Sequence, residues 1–189
     1  MALEIEAKFK VDAFDAVRAA LAAVAADRVG RRHETNHMLD RRDDPLAQHD
    51  SALRVRACRA LDGPPQSSRL TFKGPVQASR FKVREELEVA IDDAAGVVAI
   101  LERLGFRTAL VYEKRRETWR LGDCRIELDE LPELGCFVEI EAPDERTVEA
   151  VCHQLGLTGA EPITASYVHL LLGHCAAADP QRREFRFPA

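Results

Sequence analysis

Residues Leu3-Glu4-Ile5-Glu6-Ala7-Lys8-Phe9 alternate strictly, with Leu3, Ile5, Ala7 and Phe9 on one face and Glu4, Glu6 and Lys8 on the other. A period of two is the signature of a β-strand. The alternation returns over residues 53–57, 70–73, 81–89, 125–129 and 137–141, each time with one charged and one largely apolar face. Further strands are predicted over 32–40 and 111–119, the latter polar on both faces and so only partly covered. Between the strands the period changes to that of a helix. Asp12 is read as the N-cap of a helix to about Ala26, with Phe14, Val17, Leu21 and Val24 in its stripe. Asp92 or Asp93 opens a second helix with Val97, Ile100, Leu101 and Leu104 as the buried stripe and Gly105 as the stop. Pro143-Asp144 starts a third with Val148, Val151, Cys152 and Leu155 inward, and Pro162 opens a last one over 163–174. The order strand, helix, strands occurs twice, which suggests two loosely related halves.

The charged faces carry the chemistry. Like charges on neighbouring strands repel, so Glu-x-Glu set repeatedly against Arg-x-Arg and Lys-x-Arg points to convergence. A closed barrel with its charged faces inward achieves it. There, carboxylates hold a hard divalent cation through oxygen, and Arg and Lys hold a polyanion, each compensating the other.

The pentapeptide Glu4-x-Glu6-x-Lys8 resembles the N-terminal signature of the CYTH superfamily, the triphosphate tunnel metalloenzymes. In the same order follow Ala52-Leu53-Arg54-Val55-Arg56, Leu70-Thr71-Phe72-Lys73-Gly74-Pro75, Arg84-Glu85-Glu86-Leu87-Glu88, Glu113-Lys114-Arg115-Arg116, Leu128-Asp129-Glu130 and Phe137-Val138-Glu139-Ile140-Glu141. The resemblance implies an α+β fold: a closed or nearly closed antiparallel eight-stranded β-barrel, or tunnel, with a charged interior and a cover of helices. The chain departs from the family pattern at Met38-Leu39-Asp40, where the family usually shows Tyr-Phe-Asp, and at Thr164-Ala165, where a basic residue is expected before Ser166-Tyr167.

A triphosphate is highly anionic and becomes more so as it is cleaved, so catalysis is mainly positioning and charge stabilisation. Arg54, Arg56, Arg84 and Arg116 offer planar multidentate donors, and Lys8, Lys73, Lys82 and Lys114 compact charges, as the triphosphate-binding set. Glu4, Glu6, Asp129, Glu139 and Glu141 are the expected metal ligands, with Glu86, Glu88 and Glu127 as further inward carboxylates. Oxygen-only donors suit Mg²⁺ or Mn²⁺. Two reactions fit: the class IV adenylyl cyclase reaction, ATP to cyclic AMP and pyrophosphate, which the run of motifs favours, and triphosphate hydrolysis with release of orthophosphate. A polyphosphate-binding module without turnover is the non-enzymatic reading, and the retained acidic set weighs against it. No general base is assigned.

Composition adds exclusions. The chain has 189 residues, 46% hydrophobic and 31% charged, enough for one domain, read as 1–175 with a tail at 176–189 that stays mobile unless Phe185 and Phe187 dock. A net charge of −5 gives no global attraction to nucleic acid or an anionic membrane. Five cysteines without a Cys-x-x-Cys pair indicate neither a disulfide framework nor a thiolate zinc site. His33 and His37 share a strand face but lack further ligands there. Neither a signal peptide nor a membrane-spanning apolar run is read, so the expected location is cytoplasmic.

Overall fold

The computed structural model describes residues 3–77 and 82–188, and among these the side chains of Leu3, Glu4, Val76, Gln77, Lys82 and Val83 lie outside the description. Eight antiparallel strands are present among the described residues: β1 (Leu3–Val11), β2 (Asp27–Arg41), β3 (Ala52–Asp62), β4 (Ser68–Gln77), β5 (Lys82–Ile91), β6 (Phe106–Leu121), β7 (Cys124–Leu131) and β8 (Gly135–Ala142). They pair in the order β2-β3-β4-β5-β1-β8-β7-β6, and β6 pairs back onto β2 from Asp27↔Arg120 to Arg41↔Phe106. That last pairing closes the barrel, as the inward charges require. Strand β4 runs past the expected 70–73 through Gln77, and residues 78–81 lie outside the description.

The helices are α1 (Asp15–Ala23), α2 (Ala94–Arg103), α3 (Glu145–Gln154) and α4 (Tyr167–Cys175). Val17 and Leu21 of α1, Val148 and Val151 of α3 and Leu155 just after it pack on the outward residues Ala7, Phe9, Ile126, Leu128, Val138 and Ile140, forming one apolar core outside the barrel. The strands' outward faces are therefore apolar where helices cover them. Two helix starts are corrected. Phe14, not Asp12, occupies the N-cap of α1 and makes no side-chain cap, since it packs against this core instead. In α4 the cap is Ser166, whose hydroxyl accepts the His169 N–H, so Pro162 precedes the helix by an irregular stretch.

Asp93 caps α2 by accepting the Gly96 N–H, and Gly105 (φ +93°) follows its end as expected. The expected buried stripe differs: Ile100 is 61% and Leu104 69% exposed, and the half-buried side chains are Ala94, Val97, Val98 and Leu101. Ile100 points about 110° away from the centre of that group on a helix of 3.6 residues per turn, and Leu104 lies past the helix end.

A second apolar cluster closes one end of the barrel. Tyr167, Leu171 and Cys175 of α4 pack against Leu110 and Tyr112 of β6, Leu131, Phe137 and Phe185. Just before α4, the Ile163 N–H donates to the Lys8 carbonyl (2.7 Å), at the part of β1 that β5 leaves unpaired. The terminal segment does dock: Glu184–Phe185 form β9, parallel to β6 at Val111 and Tyr112, and Phe185 is fully buried. Strand β6 is better covered than its sequence indicates. Its outward Glu117 is buried by Arg18 (2.9 Å), Arg28 (3.3 Å) and the indole N–H of Trp119 (2.9 Å). No described helix is long and apolar enough to cross a membrane.

Candidate functional site

Register sets the inward rungs. On β1 and β8, Glu6 lies opposite Glu141 and Lys8 opposite Glu139. On β7 and β8, Glu127 lies opposite Glu139 and Arg125 opposite Glu141. Two rungs thus oppose carboxylate to carboxylate, which is unfavourable unless a cation intervenes.

For Glu139 and Glu127 the cations come from the chain. Arg116 donates through Nε to Asp129 Oδ1 (2.6 Å), reaches Glu139 through Nη2, and lies 3.6 Å from Glu127. Lys114 Nζ donates to Asp129 (3.0 Å) and lies 3.6 Å from Glu34. Lys8 Nζ lies 3.3 Å from Glu139 and 3.5 Å from Glu6, and donates to the Ala165 carbonyl. The Tyr167 hydroxyl donates to Asp129 (2.9 Å), and Lys8 sits 4.3 Å from the centre of its ring. Behind them Arg32 pairs with Glu34 (2.7 Å) and donates to Thr118, which donates to Glu127.

These contacts set the titration of the wall. Burial pushes Glu139 up, but Lys8, Arg116 and Lys114 outweigh it and hold it well below the usual carboxylate range. Glu34 follows the same logic, burial being overcome by Arg56, Lys114, Arg116 and Arg32. Burial and the Asp129 and Glu139 charges raise the Tyr167 phenol well above its ordinary value, so it remains a donor.

Glu6 and Glu141 lie nearer the open part of the tunnel. Lys8 stands 3.5 Å from Glu6 and Arg125 3.1 Å from Glu141, and both carboxylates keep some exposure, on the tunnel side.

Across the ring the balance is reversed. Buried Arg54 has only Thr71 Oγ1 at 3.4 Å and Glu88 at 3.9 Å, and its Nε has no hydrogen-bond partner among the described residues. Burial lowers its pKa and the neighbouring Arg56 charge lowers it further, the mark of a cation short of anions. Arg84, lowered by burial, donates to two neutral carbonyls, those of Gly74 (2.7 Å) and Asp50 (3.0 Å). Arg56 lies 3.3 Å from Glu34, and Lys73 pairs with Glu86.

The two walls enclose one cavity of about 810 Å³. Of the expected phosphate set, Lys8, Arg54, Arg56, Lys73, Arg84, Lys114 and Arg116 line it; the Lys82 side chain lies outside the description. Of the expected carboxylates, Glu6, Glu86, Glu88, Glu139 and Glu141 line it, whereas Asp129 and Glu127 are fully buried and engaged by Arg116, and the Glu4 side chain is outside the description. No group of three or more His, Cys, Asp or Glu side chains among the described residues is placed to hold a metal ion. Sequence reasoning passed over Arg32, Glu34 and Tyr112. The available signal was that residues 32, 34, 36 and 38 share the strand face opposite His33 and His37. His33 instead meets Glu113 (3.4 Å) outside the barrel.

The CYTH domain family matches residues 2–160. A provisionally named adenylate cyclase of Methanocaldococcus jannaschii is 30% identical over 139 residues, 74% of this chain and 76% of that protein. Among solved structures, the PH1819 protein of Pyrococcus horikoshii superposes with a TM-score of 0.77 at 28% identity, over 90% of this chain and 99% of that one. A provisionally named adenylyl cyclase of Hippeastrum, for which a dominant triphosphatase activity is described, shares the fold with a TM-score of 0.69 at 20% identity, over 92% of this chain and 96% of that one.

Proposed function

The chain belongs to the CYTH domain family, and from that premise we propose that it is a divalent-metal-dependent enzyme that cleaves a phosphoanhydride bond of a triphosphate held in the tunnel, with ATP converted to cyclic AMP and pyrophosphate as the first choice. One observation carries the reading. Arg54 and Arg84 form a buried cationic wall short of counter-charge, with Arg56 held beside them by Glu34, and it faces a wall where carboxylates oppose each other. A triphosphate with its cation supplies what each wall lacks.

In this reading Arg54 and Arg84 bind phosphate oxygens in place of weak neighbours and carbonyls, Arg56 adds its charge while paired with Glu34, and Lys8 and Lys73 add compact charge from the flanking strands. Glu6 and Glu141, with Glu4 two residues along β1, are oxygen donors suited to Mg²⁺ or Mn²⁺. When bound, the ion supplies charge neutralisation at the phosphate oxygens and on the leaving pyrophosphate. Asp129 and Glu127 work one layer back, holding Arg116 so that its charge faces the cavity from a fixed position.

The test is to incubate the protein with ATP or inorganic triphosphate and Mg²⁺ or Mn²⁺, and to separate the products beside a Glu6→Gln/Glu141→Gln variant. Cyclic AMP that disappears in the variant is the expected result. Orthophosphate without cyclic AMP would make the protein a triphosphatase, and binding of triphosphate without product would make it a binding module.

A further inference from the structure

The two strands that close the barrel carry a gradient. Along the inward face of β2 and β6 the paired positions run Arg32↔Arg116, Glu34↔Lys114, Asn36↔Tyr112 and Met38↔Leu110. Charge gives way to amide and phenol and then to apolar side chains over about 20 Å of strand. A triphosphate uses the charged part alone, yet the apolar part belongs to the same cavity. Met38 and Leu110 line it together with Arg54 and Arg116, and Leu46, Val168 and Leu172 join them from the 3₁₀ turn Leu46–His49 and from α4. Met38, Leu110, Val168 and Leu172 also pack in the apolar cluster that fixes α4, so their positions are set by the core behind them. At about 810 Å³ the cavity falls in the size range of sites for drug-sized organic molecules, which combine apolar walls with a few placed polar groups.

We infer that this end of the tunnel is a subsite for the organic part of the substrate, an apolar-faced group of nucleoside size, and that Met38, Leu110, Val168 and Leu172 select organic over inorganic triphosphates. The inference rests on the triphosphate reading above. Val168 and Leu172 lie beyond the residues 2–160 that match the family, so part of this selectivity comes from a segment separate from the matched phosphate machinery.

Binding rather than turnover tests it. Titration calorimetry with Mg²⁺ compares the α,β-methylene analogue of ATP with inorganic triphosphate on the wild type, Met38→Ser, Leu172→Ser and Arg54→Ala. The wild type is expected to bind the analogue at least about tenfold more tightly, each serine variant to lose about tenfold for the analogue and under about twofold for inorganic triphosphate, and Arg54→Ala to weaken both. Equal affinity of the wild type for the two ligands would overturn the subsite without relying on any variant's folding. So would serine variants that weaken both ligands alike. If neither ligand binds, the triphosphate reading falls and the subsite with it; if the preference is present but no product forms, the subsite stands and the catalytic reading falls.

Discussion

Arg116 and Arg54 are both buried guanidinium groups of one tunnel, and they answer to different demands. Arg116 is wrapped by Asp129, Glu139 and Glu127, and the excess of carboxylate raises its pKa well above the ordinary value despite its burial. Arg116→Ala leaves three carboxylates facing one another in a dry interior and is expected to cost about 3–5 kcal/mol, read as a lower urea midpoint. Arg54 has no comparable partner. Arg54→Met is expected to leave the midpoint unchanged or raise it, while removing the added stability that inorganic triphosphate with Mg²⁺ gives the wild type. Alternation marks Arg54 as inward, whereas Arg116, on a strand polar on both faces, enters the phosphate set through the family resemblance. Neither signal says which cation is already neutralised, because that depends on register across strands far apart in sequence. Glu34 shows the cost of attending to residue type: His33 and His37 draw notice to the outer face of β2, while the buried carboxylate sits between them on the other.

At the scale of elements, β6 explains the docking of the terminal segment. It has 16 residues against the 8 of β7, and β7 pairs only from Arg115 to Leu121. The remaining edge is taken by β9, where the Val111 N–H donates to the Arg183 carbonyl (2.8 Å). Phe185 fills the apolar cluster beside α4, Arg182 pairs with Glu133, and the Phe187 N–H donates to Glu113 (2.9 Å). Phe185→Ala is expected to cost about 3–5 kcal/mol of stability and to speed tryptic cleavage at Arg182 and Arg183, followed by gel electrophoresis over time. This docking was not legible in the sequence, because a two-residue strand has no periodicity and the unpaired edge exists only once β6 and β7 are aligned. The α2 stripe fails for a related reason. Helical spacing shows which residues share a face but not whether anything lies opposite, and Leu87 and Val89 on β5 are left exposed in the same way.

For the whole molecule, the charged interior gives stability a pH window. Glu34 and Glu139 have folded pKa values well below the carboxylate range, so their contribution is present above their unfolded value of about 4.3 and is lost as pH falls below it. Lys8 is shifted up: burial lowers it, but Glu139, Glu6 and Asp129 outweigh burial. Its contribution is present below the unfolded value of about 10.4 and is lost as pH rises above it. Urea midpoints measured from pH 3 to 11 are therefore expected to form a plateau from about pH 5 to 10 with a fall on both sides; a midpoint that keeps rising below pH 4 would contradict the ion-paired interior. The order of elements repeats, β1-α1-β2-β3-β4 and then β5-α2-β6-β7-β8, and the two sets pair where β4 meets β5, where β1 lies between β5 and β8, and where β2 meets β6. The order of elements and a closed or nearly closed barrel were both read from the sequence, whereas the pairing that closes it, β2 onto β6, was not, since nothing local specifies which strands meet.

The β2–β6 pairing brings Arg41 to Phe106 and Asp27 to Arg120, so it closes only after most of the intervening chain has been gathered in. Such a contact is slow to form and comes late in folding. Until then β2 and β6 each carry a long unpaired edge whose natural partner is chemically identical on every other copy of the chain. Refolding at high concentration thus sets the intramolecular seam in competition with the same pairing between two chains, and the yield of correctly closed barrel becomes a matter of dilution.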